Sequence, residues 1–332
     1  MKSLLSKLDK QAFFIHREKG LASVAINGVL PLWKEKGMTS HDCVFKLRKI
    51  LKTKKVGHTG TLDPEVDGVL PICIGAATKV AEYITDQGKT YEAEVTIGYS
   101  TETEDATGAI VDADHTIKTV TRPELEKALE SLTGEITQIP PMYSAVKVNG
   151  KKLYEYARQG IPVKRPKRTV RIDSIELLDR DEQWTGQEVK FSIRIVCGKG
   201  TYIRTLAVQI GEALGYPAHM SKLTRTASGK FTAEDCKTLA EVAELAQNGD
   251  IGTILKPLSY GLSNFPFTEI EKKDVFAIKN GQVLNRHPLM EEHEFLVFTL
   301  DGAPLALYKR HPEKADKMKP EKMFGYPKMD EV

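Results

Sequence analysis

The amino-acid sequence predicts an α+β fold. Two runs of apolar–polar alternation mark half-buried strands, two stretches with apolar residues at helical spacing behind a capping residue mark helices, and the regular strand–helix repetition of a doubly wound sheet is absent. Beyond about residue 260 the pattern changes to a short charged helix and a hairpin, which predicts a small β-rich module of its own. A chain of 332 residues is long enough for a large domain with such a companion, each with its own core.

Residues 1–25 carry no clear period beyond the apolar patch Phe13-Phe14-Ile15 and read as an extension without an assigned role. After the Gly37-Met38 turn, Ser40 is expected to cap a helix whose apolar positions Val44, Leu47, Ile50 and Leu51 recur at helical spacing, leaving its lysines on another face. Gly57 to Gly68 is a glycine-punctuated loop, Val69 to Ile74 an apolar run suited to a buried strand, and Ala77, Val80, Ala81 and Ile84 the inward positions of a following helix. Tyr91, Ala93, Val95 and Ile97 alternate with Glu92, Glu94 and Thr96, so Tyr91 points inward. Thr121 caps a helix with Pro123 in its first turn, a stripe of Leu125, Leu129 and Leu132, and Gly134 at its end. Val189, Phe191, Ile193, Ile195 and Cys197 alternate in a second strand that stops at Gly198-Lys199-Gly200. A helix carrying Leu206, Ile210 and Leu214 follows, with Tyr202 and Arg204 at the junction. In the C-terminal part a helix from Glu269 to Asn280 precedes two strands, Phe295 to Leu300 and Ala303 to Tyr308, joined by an Asp301-Gly302 turn.

Forty-eight Lys+Arg against 45 Asp+Glu give a net charge of +3, too mild an excess to announce a nucleic-acid partner. Its distribution says more. Lys46, Arg48, Lys49, Lys52, Lys54 and Lys55 crowd the acid-free stretch between Cys43 and Leu62, and a second run from Lys147 to Arg171 is broken only by Glu155. One such run reads as a solvated face; two runs flanking the glycine-rich motifs point to a phosphate-binding surface. The four cysteines, Cys43, Cys73, Cys197 and Cys236, form no CxxC pair and suggest neither a zinc site nor a disulfide framework, which fits a reducing compartment. No apolar stretch approaches the roughly 20 residues needed to cross a bilayer. With no signal-peptide core either, the expectation is a soluble cytoplasmic protein.

The generic catalytic templates are missing: there is no Walker loop, HExxH, GxSxG or dinucleotide glycine fingerprint. What remains is chemistry by ordinary side chains, without metal or cofactor. The densest candidate is Gly57-His58-Thr59-Gly60-Thr61-Leu62-Asp63-Pro64, where Pro64 biases Asp63 away from helical dihedrals and the glycines permit close approach of a ligand. Asp63 there reads as a turn or cap residue on spacing alone, or else as a reactive carboxylate. Arg204 reads as a surface arginine or as the partner that keeps such a carboxylate ionised and aimed. Tyr91 reads as a core tyrosine or a proton-transfer phenol, and His58 as a loop histidine or a group that stacks on a nucleobase.

The Gly57–Pro64 string, followed by Gly68-Val69-Leu70-Pro71, resembles the catalytic motif of the TruB family of bacterial tRNA pseudouridine-55 synthases. Lys89-Thr90-Tyr91, Pro141-Met142-Tyr143-Ser144-Ala145, the stretch Gly150–Gly160 and Gly198-Lys199-Gly200-Thr201-Tyr202-Ile203-Arg204-Thr205 are similar to further motifs of that family, in the same order. The resemblance covers residues 26–230. Two departures stand out: Glu35 takes the place of the family's usual proline after Lys34, and Asp67 stands where the family more often has a small residue.

The resemblance implies a pseudouridine synthase fold, with a mixed, mainly antiparallel central sheet flanked by helices over residues 26–255, and a PUA-like RNA-binding domain over 262–332. It implies isomerisation of uridine 55 in the T loop of tRNA, by base flipping and Asp63-dependent cleavage and re-formation of the glycosidic bond. Tyr91 and Arg204 would assist catalysis, His58 would occupy the place of the flipped base, Leu223 would pack near that base, and Tyr202 and Lys34 would bind substrate. The expected partner is the T stem-loop of tRNA, met by a monomer with no membrane and no obligatory protein partner. Two other readings compete: a non-enzymatic RNA chaperone using the same basic surface, and a glycoside hydrolase pairing Asp63 with Asp67 across about 5 to 9 Å.

Overall fold

The structure is a computed structural model, and it describes residues 26–324; the expected extension at residues 1–25 lies outside the described residues. The main elements, in chain order, are β1 (Gly28–Lys34), α1 (Ser40–Ile50), β2 (Val56–His58), β3 (Asp67–Ile74), β4 (Lys89–Ile97), α2 (Arg122–Ser131), β5 (Gly134–Gln138), β6 (Arg168–Leu177), β7 (Val189–Cys197), α3 (Ile203–Leu214), β8 (Ala218–Ser228), α4 (Leu239–Asn248), β9 (Phe267–Glu269), β10 (Leu284–Asn285), β11 (Phe295–Leu300), β12 (Ala303–Arg310) and β13 (Lys317–Met323). The architecture is α+β, as the patterning predicts. Among the described residues no helix is long and apolar enough to cross a membrane.

The chain forms two compact units that do not follow its linear order. One gathers the residues up to Asp63, Leu70–Thr85 and everything from Glu234 onward; the other holds Pro64–Val69 and Asp86–Ala233. Asp63 is therefore the last residue of the first unit before the chain passes into the second.

In the second unit the sheet runs β3–β8–β4–β7–β6–β5. All its pairs are antiparallel except where β8 meets the first residues of β3. The alternation read from sequence appears in the burial of β4 and β7, where Tyr91, Ala93, Val95, Phe191, Ile193 and Ile195 are buried. α3 lays Leu206, Ala207 and Ile210 inward and packs on β8 and on α2. α2 starts as expected, with Thr121 and Glu124 in a reciprocal capping box and Pro123 in the first turn. Gly68 allows the parallel contact: its φ of 122° lies outside what side-chain-bearing residues adopt readily, and a Cβ there would overlap the backbone of Arg225.

In the first unit β3 has β1 and β2 as its neighbours. The segment after Glu234 straps β1: Val29 and Lys256 exchange both backbone hydrogen bonds at 2.8 Å, and Trp33 N–H donates to Lys237 at 2.9 Å. The C-terminal sheet, ordered β9–β11–β12–β13–β10, closes over a core of Leu296, Phe298, Leu305, Tyr308, Met290 and Met318. Its hairpin turns at Asp301 and Gly302, both with positive φ (50° and 76°), the geometry that an Asp-Gly pair favours.

Three expectations are corrected. Thr39, not Ser40, is the cap of α1: its hydroxyl accepts from Asp42 N–H at 3.0 Å while the Asp42 carboxylate accepts from Thr39 N–H at 2.9 Å. The apolar positions from Ala77 to Ile84 lie on a 3-10 turn, Gly75–Val80, that becomes α-helical only over Ala81–Thr85. The helix expected over 269–280 shrinks to Val275–Lys279: Glu269 ends the strand Phe267–Glu269 beside β11, and Lys272–Asp274 form a 3-10 turn.

Gly68→Ala is expected to destabilise the protein by about 2 kcal/mol or more, through backbone strain and overlap with β8, and to lower the melting midpoint followed by circular dichroism. A midpoint unchanged by this substitution contradicts the parallel contact.

Candidate active site

The loop that carries Asp63 is short of side-chain volume but well anchored. Thr59 is fully buried, and its N–H and its hydroxyl both donate to the Pro71 carbonyl, at 3.1 and 3.0 Å. A proline has no N–H to return such a bond, so the threonine hydroxyl strengthens the β2–β3 ladder where it is weakest. Three residues on, Leu62 is 4% exposed, and both of its backbone polar groups meet the Ser40 hydroxyl: the N–H donates to Oγ at 2.9 Å, and Oγ donates to the carbonyl at 3.3 Å. Asp63 follows, half-exposed, directly before the exposed Pro64. His58 ends β2, half-buried, with Nδ1 accepting the Gly60 N–H at 3.3 Å.

Tyr91 sits on β4, 8% exposed, opposite Ile195 on one side and Arg225 on the other. Leu223 lies opposite Ala93 on β8 and is 7% exposed, so Tyr91 and Leu223 share one face of adjacent strands. Arg225, on that face as well, is buried; its Nε donates to the Val69 carbonyl at 2.7 Å and its Nη2 has no hydrogen-bond partner. Burial, and then the charge of Arg225, pull the Lys89 amine down to about 8.

Arg204 stands in the first turn of α3, 6% exposed, where a surface arginine was one of the two expectations. Its Nη1 donates to the Thr103 carbonyl at 3.0 Å, its Nη2 to the Tyr143 carbonyl at 2.9 Å, and Asp105 lies 3.9 Å away. The next residue, Thr205, donates its hydroxyl to Glu104 at 2.6 Å. Burial pushes the Glu104 carboxyl up, and the Thr205 hydroxyl and the Arg204 charge oppose that rise. Tyr202, the residue before α3, exchanges two backbone bonds with the Gln138 amide, at 3.0 and 3.2 Å.

Lys34, expected to bind substrate, has no exposed surface in this structure, and its amine donates to the Glu35 carbonyl at 3.0 Å. Asp67, the second carboxylate of the glycoside hydrolase alternative, accepts the Thr224 hydroxyl at 2.6 Å in the parallel β3–β8 contact. The basic helix behaves as read, with Lys46, Arg48 and Lys49 exposed. In the second run Tyr154 lies under two cations, Lys152 at 5.4 Å and Arg158 at 5.2 Å from its ring centre.

The sequence reading missed the shell around Arg204. Asp105 accepts from the Thr103 hydroxyl (2.7 Å), the Thr107 hydroxyl (2.6 Å) and the Thr107 N–H (2.9 Å). That Asx turn was readable from Thr103-Glu104-Asp105-Ala106-Thr107, but its proximity to Arg204, 99 positions away, was not. Ser40 was assigned to a cap, and its bond to Leu62 had no local signal.

The family described as "TruB family pseudouridylate synthase (N terminal domain)" matches residues 48–203, and "tRNA pseudouridylate synthase B C-terminal domain" matches 204–263. The tRNA pseudouridine synthase B of Listeria innocua is 58% identical over 301 residues, covering 90% of this chain and 98% of the relative. That of one Bacillus cereus strain is 53% identical over 299 residues, 90% of this chain and 97% of the relative. Among solved structures the chain superposes on one from a Cbf5–Nop10–Gar1 complex, 27% identical with a TM-score of 0.67, covering 90% of this chain and 85% of that one. It also superposes on one from an H/ACA RNP bound to a substrate RNA containing 2′-deoxyuridine, 26% identical with a TM-score of 0.66, over 91% and 87%. The fold is that of the pseudouridine synthases, a class of isomerases. Within that class, the chain belongs to the TruB family of tRNA pseudouridine synthases.

The lowered Lys89 amine gives a pH test. Between about 8 and its ordinary 10.5, the unfolded chain holds a proton that the folded chain has released, so stability from this group rises with pH across that window. Compared with Lys89→Met, the wild type is expected to show a more positive slope of unfolding free energy against pH there, by at most about 1.4 kcal/mol per pH unit. Parallel curves in urea titrations refute the shift.

Proposed function

We propose that the chain converts uridine 55 in the T loop of tRNA to pseudouridine, with Asp63 acting at C1′ of the nucleotide. The observation that carries this reading is the setting of Asp63, a half-exposed carboxylate on a loop whose buried neighbours, Thr59 and Leu62, are held by hydroxyl groups. The reaction breaks the bond from C1′ to N1, turns the base, and joins C1′ to C5; the C5 proton then leaves and N1 ends protonated. Nothing is oxidised or reduced, and no cofactor is required. A carboxylate serves as nucleophile at C1′ or assists departure of the uracil.

Arg204 keeps the carboxylate ionised and aimed; a guanidinium carries five N–H donors, enough for carbonyls and a carboxylate together. Tyr91, inward-facing, takes part in removal of the C5 proton. The base has to leave its stack first, at a cost of a few kcal/mol. His58 fills the vacated place, Leu223 packs against the everted base, and Tyr202 lines the substrate's path. Exposed cations of the two basic runs, among them Lys46, Arg48, Lys49, Lys151 and Arg158, meet phosphates and set affinity rather than base choice. Residues 26–255 carry the catalytic domain, and residues 262–332 serve as a PUA-like RNA-binding domain. The enzyme works in the cytoplasm as a monomer, without an obligatory protein partner.

Asp63→Asn is expected to lower the rate of pseudouridine formation in an unmodified tRNA transcript by at least about a thousandfold while tRNA affinity is retained. Conversion at the wild-type rate removes the catalytic assignment. Affinity for tRNA is expected to fall steeply as salt rises, since Lys and Arg contacts release counterions; binding indifferent to ionic strength contradicts the basic face.

A further inference from the structure

We infer that Ser40 is a positioning residue for the reaction: its hydroxyl fixes the backbone from which Asp63 projects. This inference rests on the reading of Asp63 as the group that acts at C1′.

Ser40 is the first residue of α1, where a serine ordinarily serves the helix end. Here Thr39 and Asp42 already close that end with a capping box, so the Ser40 hydroxyl is not needed for it. The side chain is 1% exposed and turns instead to a residue 22 positions away. It accepts the Leu62 N–H at 2.9 Å and donates to the Leu62 carbonyl at 3.3 Å, so one hydroxyl holds the polar groups on both sides of the Leu62 Cα. Rotation about the Leu62 backbone would swing Asp63 directly, and these two bonds oppose it.

The other anchor of the loop, Thr59 on Pro71, leaves only Gly60 and Thr61 between the two pinned points. Removal of the Ser40 oxygen strands a buried N–H and a buried carbonyl, and the loop regains partners for them by moving. A shift of about 1 Å at a reacting group costs on the order of a hundredfold in rate. α1 also carries Lys46, Arg48 and Lys49 on its exposed face, so the same hydroxyl joins the loop to a helix of the basic surface.

The test uses the full-length protein, an unmodified tRNA transcript and three variants, assayed well below their melting midpoints. Ser40→Ala is expected to lower kcat roughly ten- to a hundredfold, with KM and tRNA Kd within about twofold of wild type. Val44→Ala removes buried packing from the same helix, and is expected to lower the melting midpoint while leaving kcat near wild type. A Ser40→Ala enzyme with wild-type kcat, one whose defect lies in KM alone, or one whose rate loss is matched by Val44→Ala overturns the positioning role. Asp63→Asn separates the two claims. Turnover retained by Asp63→Asn overturns the catalytic reading and the positioning role with it, whereas an inactive Asp63→Asn beside a fully active Ser40→Ala overturns the positioning role alone.

Discussion

A backbone polar group that has left water has to be bonded to something, and that requirement organises the loop ahead of Asp63. Glycine-rich loops are mobile by default. This one is anchored by the hydroxyls of Thr59 and Ser40, which meet the Pro71 carbonyl and both polar groups of Leu62 in buried surroundings. Each bond contributes only about 1 kcal/mol net, yet a buried N–H left without a partner costs about 1 to 3 kcal/mol. The asymmetry makes the bonded arrangement far more favourable than its neighbours, without bulky side chains that would block an RNA.

The same requirement shapes the cations in the interior. Lys118, with a fully buried side chain, donates to the carbonyls of Asp114, Thr116 and Gln187 at 2.6 to 2.8 Å. Arg225 uses the Val69 carbonyl, Lys34 that of Glu35, and Arg204 those of Thr103 and Tyr143. Carbonyl oxygens bond these buried cations beside nearby carboxylates, Asp114 at 3.7 Å from Lys118 and Asp105 at 3.9 Å from Arg204.

Periodicity carried most of the fold. The alternation at Tyr91–Ile97 and Val189–Cys197, the Thr121 cap and the Asp301-Gly302 turn are local signals, each enforced by its own neighbours, and each is found where it was read. Misreadings arose where tertiary partners outbid local preference. Ser40 yields the cap to Thr39 because Leu62 claims its hydroxyl, and Glu269 leaves the expected helix because β11 offers it a parallel neighbour. The candidate site was legible mainly as a string of motifs. That Arg204 lies inside, framed by Thr103, Tyr143 and Asp105, depends on contacts across 61 to 101 positions, which no periodicity encodes.

The chain's route through its two units has a consequence for biosynthesis. Residues 86–233 form nearly all of one unit in a single continuous stretch, so they are complete and able to collapse while the ribosome is still making the rest. The other unit has to wait: β1 emerges among the first elements, but the strap that bonds it, at Lys237 and Lys256, emerges more than two hundred residues later. During that interval an apolar strand with an open edge is exposed, and the nascent protein is vulnerable to aggregation until the strap arrives.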